Sequence, residues 1–421
     1  MRYAVISKGL ALPQMETECL RAGATNIRKA PTLGQLFCDL DADQARSLSK
    51  VPGLALKQEN VVKADQVAVV SEAPEVSLTD VFYELRDSLY PAIVGLGLTC
   101  AVPDTGIRKT HLRLKDKVVF EANFSESETA DDVFGHGTSV AYVIAGGVHS
   151  PGEESGVAPG AHLMSLKVLG DDGVGTDETV VMGIEEACEL VEKAWIEGLS
   201  VTDPMYPNIL NMSFGTPDDG DTDNPIRVAC RRAVRDFGLE VIVSCGNEGP
   251  HPSSVKIPAC DPDVVAVGAI EPPFAIWEKS SRGPTMEGDI KPDFVFWGVN
   301  LRTASAESDE SFTTRTGTSF SCPVFCGITG LLWEMGRRVY GEGWHLSWRD
   351  IKQIAPFFCV KPEEAPLKKD NTYGYGLISL GPMFQSLTGP APSSYAEAMD
   401  FMGGMFSLGL VAAIIPGMVR T

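Results

Sequence analysis

The sequence predicts a three-layer α/β protein, a mainly parallel sheet with helices on both faces, preceded by a small α+β unit of order βαββαβ. Three observations carry this. From residue 79 onward, short apolar strands alternate with helical stretches, the pattern of a parallel sheet wound by crossover helices. Several of those strands run out into loops holding Asp, Asn or Gly, and open α/β sheets bind ligands beyond such strand ends. The first 65 residues instead show short, closely spaced strands around two helical stretches. A chain of 421 residues has room for one large domain and one small one.

Taken in order, residues 2–7 alternate as a strand and 13–22 suit a helix stopped by Gly23. Residues 26–40 read as two strands broken at Pro31 to Gly34. A second helix starts at Asp41, and Leu54 to Val62 supplies one last strand. The domain expected over 1–65 is followed by a polar linker at 66–80 and the large domain at 81–388. In that domain Leu98 to Val102 is a strand ending at Pro103-Asp104-Thr105-Gly106, and His136-Gly137-Thr138 opens a helix through Ile144. Leu163 to Leu169 is a strand and 177–197 a helix. Ile209 to Gly215 is a strand, 225–237 a helix, Glu240 to Cys245 a strand ending at Gly246-Asn247-Glu248-Gly249, and Val264 to Ala269 another strand. Gly317-Thr318-Ser319 then leads into an apolar run through Trp333 that reads as a buried helix. Pro323 is expected in its first turn, where a missing N–H is tolerated.

Composition narrows the function. The net charge is −21, with basic residues short and scattered, so no nucleic-acid footprint is present and an anionic membrane surface would repel the body. The apolar run in Met1 to Gly9 is too short for a secretory signal, and ten scattered cysteines lack the spacings of a disulfide scaffold. Reduced thiols in a cytoplasm are the expectation. Cys322 and Cys326 share a helix face but have no further ligand nearby, so they read as small core residues. The tail at 389–421 ends in Phe401 to Val419, nineteen residues without charge. As a helix these would span roughly 28 Å, near the thickness of a bilayer core. Docking on the body is favoured over membrane attachment and over a flexible segment that occupies the cleft or is itself cut, because the body is acidic and the tail's glycines allow close approach.

Asp104, His136 and Ser319 carry the chemistry. A serine hydroxyl is a poor nucleophile unless a base takes its proton. His136 can serve as that base and then as acid to the leaving amine, with Asp104 holding its tautomer and stabilising the imidazolium. Ser319 at a helix N-terminus faces free N–H groups and the positive end of the dipole, which suits a target that acquires charge on oxygen. The side-chain amide of Asn247 can donate to that oxyanion beside the backbone N–H of Ser319. Asp104-Thr105-Gly106 also matches an aspartic-protease turn, but that chemistry needs a second such carboxylate and the chain has none.

Read together, these stretches resemble the subtilisin-like serine proteases, the subtilases, which share the chain order Asp, His, Ser. The resemblance runs over about residues 85–388. It rests on Pro103-Asp104-Thr105-Gly106-Ile107, Gly135-His136-Gly137-Thr138-Ser139-Val140-Ala141, Gly156-Val157-Ala158-Pro159-Gly160-Ala161 and Asn211-Met212-Ser213-Phe214-Gly215. Gly246-Asn247-Glu248-Gly249, Ser280 to Pro284, Lys291-Pro292-Asp293, Gly317 to Pro323 and Tyr373 to Gly376 complete it. It implies that Ser213, Phe214 and Gly215 pair with an extended substrate as an added strand, and that Ser244, Cys245 and Gly246 line the wall of the primary specificity pocket. It also implies that the first 65 residues are an inhibitory propeptide whose last strand leads a tail into the cleft.

Tyr142 departs from the family pattern, where a small residue is usual. The loop from Gly146 to Ser155 lacks the oxygen ligands of a strong calcium site. No cofactor is expected, and Asp171-Asp172 and Asp218 to Asp221 read as solvated loop carboxylates rather than a calcium site. The expected function is an intracellular, self-processing serine endopeptidase held as a zymogen, acting on peptide or protein substrates. Two rivals use the same residues: a transamidase that passes the acyl group to an amine, and a silent binding protein whose cleft is never vacated.

Overall fold

The computed structural model describes residues 1–64, 93–148, 154–272, 274–379 and 383. The linker at 66–80 and the tail at 389–421, with its apolar run, lie outside them. Among the described residues no helix is long and apolar enough to cross a membrane.

The N-terminal unit follows the expected βαββαβ order: β1 (Arg2–Ser7), α1 (Leu12–Arg21), β2 (Thr25–Ala30), β3 (Gln35–Asp39), α2 (Ala42–Leu48) and β4 (Leu54–Gln58). The strands form an antiparallel sheet of order β2-β3-β1-β4. Asp41 starts α2 by accepting the N–H groups of Asp43 and Gln44, while the Gln44 side chain returns to the Asp41 N–H. Alternate residues of β3 face opposite ways. Leu36 and Cys38 close the unit's own core with Val5 and Met15, and Phe37 joins the core of the large domain.

The last strand differs from expectation. Leu54 to Val62 is not continuous: β4 stops at Gln58, and a separate β5 (Val61–Ala64) leaves for another sheet. Asn60 makes the break, because Asp177 accepts both its backbone and its side-chain N–H groups and turns the chain away.

The large domain is a sheet of order β14-β13-β12-β10-β6-β8-β7. Its strands are β6 (Thr99–Asp104), β7 (Val118–Asn123), β8 (His162–Lys167), β10 (Ile209–Met212), β12 (Glu240–Ser244), β13 (Val265–Glu271) and the short β14 (Ala275–Ile276). All neighbours are parallel except β13 and β14, and β15 (Phe294–Trp297) also pairs with β13 in parallel. Strands covered on both faces read as unbroken apolar runs. In β6, Cys100 and Val102 face α3 (His136–Ala145) and α6 (Thr318–Tyr340), while Ala101 faces α4 (Asp177–Glu197) and α5 (Pro225–Phe237). Thr176 caps α4 at its start, and Asn224 with Pro225 does so for α5. Gly198 and Gly238 end these helices in left-handed conformations.

Pro323 is a second correction. Helix α6 already begins at Thr318, so Pro323 lies inside it rather than in its first turn. A residue there would donate to the carbonyl of Ser319 four places back, and proline has no N–H to give.

Just before β15, burial pushes the Asp293 carboxyl up, but Lys291, Lys352 and Lys369 outweigh burial and hold it far below the usual carboxylate range. Their ammonium groups lie at 2.8, 3.1 and 2.7 Å from its oxygens. A depressed carboxylate contributes stability above its unfolded pKa of about 4, lost only as pH falls through its low folded value. Asp293→Asn leaves the buried Lys291 without its counter-charge and should destabilise the fold by about 3–5 kcal/mol. Denaturant unfolding in a Ser319→Ala background, which prevents self-digestion, measures this.

Candidate active site

Asp104 is the last residue of β6 and His136 the first of α3; both are fully buried. The Nδ1 atom of His136 lies 2.8 Å from Asp104 Oδ1, which also accepts the Thr105 N–H. That approach demands a glycine next to His136. A Cβ on Gly137 would lie 2.1 Å from the Gly106 carbonyl oxygen and 3.1 Å from Asp104 Cβ.

Sequence reasoning missed what holds this pair, namely Asp132 and Lys167. Asp132 accepts the Gly135 and Thr138 N–H groups and the hydroxyls of Thr105 and Thr138, at 2.6–2.8 Å, tying the Asp104 turn to the start of α3. Burial pushes its carboxyl up against those hydrogen bonds. Lys167, also buried, donates to the carbonyls of Thr105 and Asp131 and to Asp171. The pattern Asp-x-x-Gly-His, with the carboxylate three residues before the glycine, was the available signal for Asp132.

Ser319 is the second residue of α6 and buried. Its hydroxyl donates to the Ser213 carbonyl at 2.8 Å, and His136 Nε2 has no hydrogen-bond partner among the described residues. The serine hydroxyl is thus bonded to a carbonyl and not to the imidazole; serine–histidine bonds often tighten only with substrate. The imidazole packs on Phe320, ring centroids 5.5 Å apart.

Asn247 comes to the same place from the end of β12. Its Oδ1 accepts both the N–H and the hydroxyl of Thr318 at 2.9 Å, which fixes the amide one residue from Ser319. The Thr318 hydroxyl in turn accepts the Gly246 N–H. Gly317 is required here, since a Cβ would stand 3.0 Å from Asn247 Nδ2 and its φ is +152°.

The strand expected over Ile209 to Gly215 is split. Phe214–Gly215 forms its own β11, in a sheet of order β11-β5-β9 with β9 spanning Val174–Thr176. Strand β5 of the N-terminal unit thus lies between two strands of the large domain. Ala64 is opposite Phe214 and Lys63 opposite Gly215; Val61 to Lys63 pair with Thr176 to Val174. Val62 is fully buried, and burying such a side chain stabilises by roughly 1.5–3 kcal/mol. The unit is held from its far side too. Glu185 accepts the Thr32 and Leu33 N–H groups, Arg2 meets Glu178 at 2.5 Å, and Lys57 meets Asp221 at 2.5 Å.

Ser244, Cys245 and Gly246 follow at the end of β12; all three are buried, and burial pushes the Cys245 thiol up. Cys322 and Cys326 are buried on one helix face, their Sγ atoms 3.3 and 3.2 Å from Asn211 Oδ1. Tyr142 fills space against Phe312. The acidic loops engage cations of the chain itself, Asp171 with Lys167 and Asp221 with Lys57. Among the described residues no three metal-ligating side chains gather.

Residues 95–376 match the model of the Subtilase family. The chain is 31% identical over 265 residues to Serine protease AprX of Bacillus subtilis (strain 168), covering 57% of this chain and 58% of that protein. It is 30% identical over 280 residues to the Major intracellular serine protease of the same bacterium, covering 64% and 78%. With Subtilisin-like protease 3 of Pseudogymnoascus destructans the identity is 26% over 307 residues, covering 71% and 69%. An Asp–His pair at bonding distance, a serine at a helix start, and a family match over two thirds of the chain leave one conclusion: this chain belongs to the subtilase family of serine proteases.

Proposed function

We propose that this protein is an intracellular serine endopeptidase that processes peptides or proteins and is held inactive by its own N-terminal domain. Ser319 Oγ attacks the scissile carbonyl carbon while His136 Nε2 takes its proton, and the oxyanion forms beside the Ser319 N–H and the Asn247 amide. The histidine then gives that proton to the leaving amine, whose bond to the carbonyl carbon breaks, and water releases the acyl group by the same route. Asp104 orients the imidazole throughout. Ser213, Phe214 and Gly215 bind the substrate as an added strand, and Ser244 to Gly246 form the pocket wall. This chemistry needs no cofactor.

The observation that carries the inhibitory reading is the pairing of β5 between β11 and β9. A peptide laid on those edges would need the same backbone hydrogen bonds, so β5 and substrate exclude each other. The relative named as intracellular supports the compartment, as does the scatter of free cysteines. Labelling of Ser319 by a fluorophosphonate, stronger once residues 1–64 have left, tests the whole reading. Labelling that is equally strong with the domain in place would remove the inhibition; no labelling in either state would favour a silent binding protein.

Docking of this domain should depend on pH through Asp177. Burial pushes its carboxyl up to about 7, against the Asn60 hydrogen bonds that favour the ionised form. A docked pKa above the ordinary value of about 4 means that the docked state holds a proton the solvated carboxyl does not. Docking is then best supported below pH 4, weakens as pH rises to 7, and is level beyond. In the Ser319→Ala protein, exchange protection of the 61–64 amides, corrected for intrinsic rates, should fall about tenfold from pH 5.5 to pH 8. Asp177→Asn should flatten that dependence.

A further inference from the structure

Lys256 packs against both segments to which the reading above gives the pocket for the residue before the scissile bond. Its backbone N–H donates to the Cys245 carbonyl at 3.0 Å, and the next residue, Ile257, bonds in both directions with Thr216. The segment thus joins the two walls, Ser244 to Gly246 on one side and Ser213 to Gly215 on the other. The lysine stem runs between the two glycines. A Cβ on Gly215 would lie 2.9 Å from Lys256 Cβ, and one on Gly246 would lie 2.9 Å from Lys256 Cγ. Each glycine leaves the room that the stem fills.

The ammonium is placed accordingly. The Lys256 side chain is 9% exposed, and its Nζ lies 3.0 Å from Glu248 Oε1. Glu248 is the residue after Asn247, so the pair sits beside the oxyanion donor. The two partners are unequal, because the Glu248 side chain is 56% exposed. A carboxylate that wet gains little from its ion pair and can swing into water at small cost. The lysine cannot follow it, since its stem is packed between backbone walls. A buried ammonium facing a carboxylate that can leave is a receptor for another carboxylate.

Resting on the endopeptidase reading, we infer that Lys256 selects substrates with an acidic residue, aspartate or glutamate, immediately before the cleaved bond. The substrate carboxylate takes the place of Glu248 on the Lys256 ammonium, and Glu248 turns outward. The same lysine closes the pocket to large apolar side chains, whose burial against a charge would be unfavourable. The chain's own sequence is in keeping with this, for Ala64, the last residue of β5, is followed by Asp65.

The test uses the purified full-length chain after self-processing and fluorogenic peptides Val-Lys-Ala-X, with X varied and active sites counted by fluorophosphonate titration. Asp or Glu at X should give kcat/KM about 10- to 100-fold above Asn or Gln, more than an exposed ion pair yields. Lys256→Met should abolish that ratio and raise cleavage after Leu, Lys256→Glu should shift preference to Lys or Arg, and Glu248→Gln should strengthen the acidic preference. Equal or faster cleavage after Leu or Phe by the unaltered protein, with Lys256→Met leaving the ratios unchanged, would overturn the inference while leaving the peptidase reading intact. A preference for Ala or Ser, relaxed to Phe by Lys256→Gly, would also overturn it, making the lysine a plug. Absence of both cleavage and Ser319 labelling would instead defeat the peptidase reading, and this inference with it.

Discussion

Replacing Ser319 by alanine should lower kcat on a fluorogenic peptide by on the order of a million-fold, the scale known for the triad of subtilisin itself. His136→Ala should do nearly the same, and the double variant little more, because the two act as a unit on one proton. The Asn247→Ala protein should lose about 100- to 1000-fold in kcat with KM almost unchanged, the range known for a subtilisin oxyanion donor, since the oxyanion exists only in the transition state. Asn247 is braced by two bonds from Thr318 to its carbonyl oxygen, so the alanine variant removes the donor and frees Thr318 together. Thr318→Val separates these effects by keeping the asparagine and loosening it. A smaller kcat loss is expected there. A change confined to KM in Asn247→Ala would take that residue out of the oxyanion hole.

Wild-type protein should cut itself once between Ala64 and residue 80, while the Ser319→Ala protein stays whole by intact mass. Strand β5 already pairs with β11, to which the proposed function gives substrate pairing, with Ala64 opposite Phe214 and Ser213 one residue back along the chain. The Ser213 carbonyl accepts the Ser319 hydroxyl, so the proposed nucleophile lies against the residue that precedes β11. Residues 1–64 should remain bound after the cut, through Glu185, Glu178 and Val62, and inhibit until they leave. Glu185→Ala removes the acceptor of two backbone N–H groups and should speed the appearance of activity by roughly tenfold, on about 1–2 kcal/mol of lost docking. Intact wild-type protein that hydrolyses peptides at full rate would end the propeptide reading.

Much of the fold was legible residue by residue. Helices 177–197 and 225–237 have the bounds that their caps and apolar spacing imply, because Thr176, Asn224, Gly198 and Gly238 act within a turn of their own position. Pro323 misled. Its preference for first turns is a statistical habit, and the buried α6 tolerates it inside because the apolar run packs on every side. The break at Asn60 was invisible, since the residue that turns the chain is Asp177, far away in sequence. Lys167 was missed for the same reason, since it joins the distant Thr105 and Asp131 carbonyls, whereas Asp132 was missed although its place three residues before Gly135 was a local signal.

What the sequence alone determined, then, is the set of candidate reactive groups and the local segments that carry them. Asp104 at a strand end, His136 and Ser319 at helix starts and Asn247 in a glycine turn follow from side-chain chemistry and short-range backbone preference, which act over a few residues. The tertiary structure decided which distant segments lie against one another around them. Strand pairing is a choice among edges, and nothing inside Val61 to Ala64 says that β11 and β9 will flank it rather than β4. Lys256 looks like any surface lysine until Gly215 and Gly246 close on its stem. Those contacts join segments about ten, forty and a hundred and fifty residues apart, and only folding the whole chain brings them within reach.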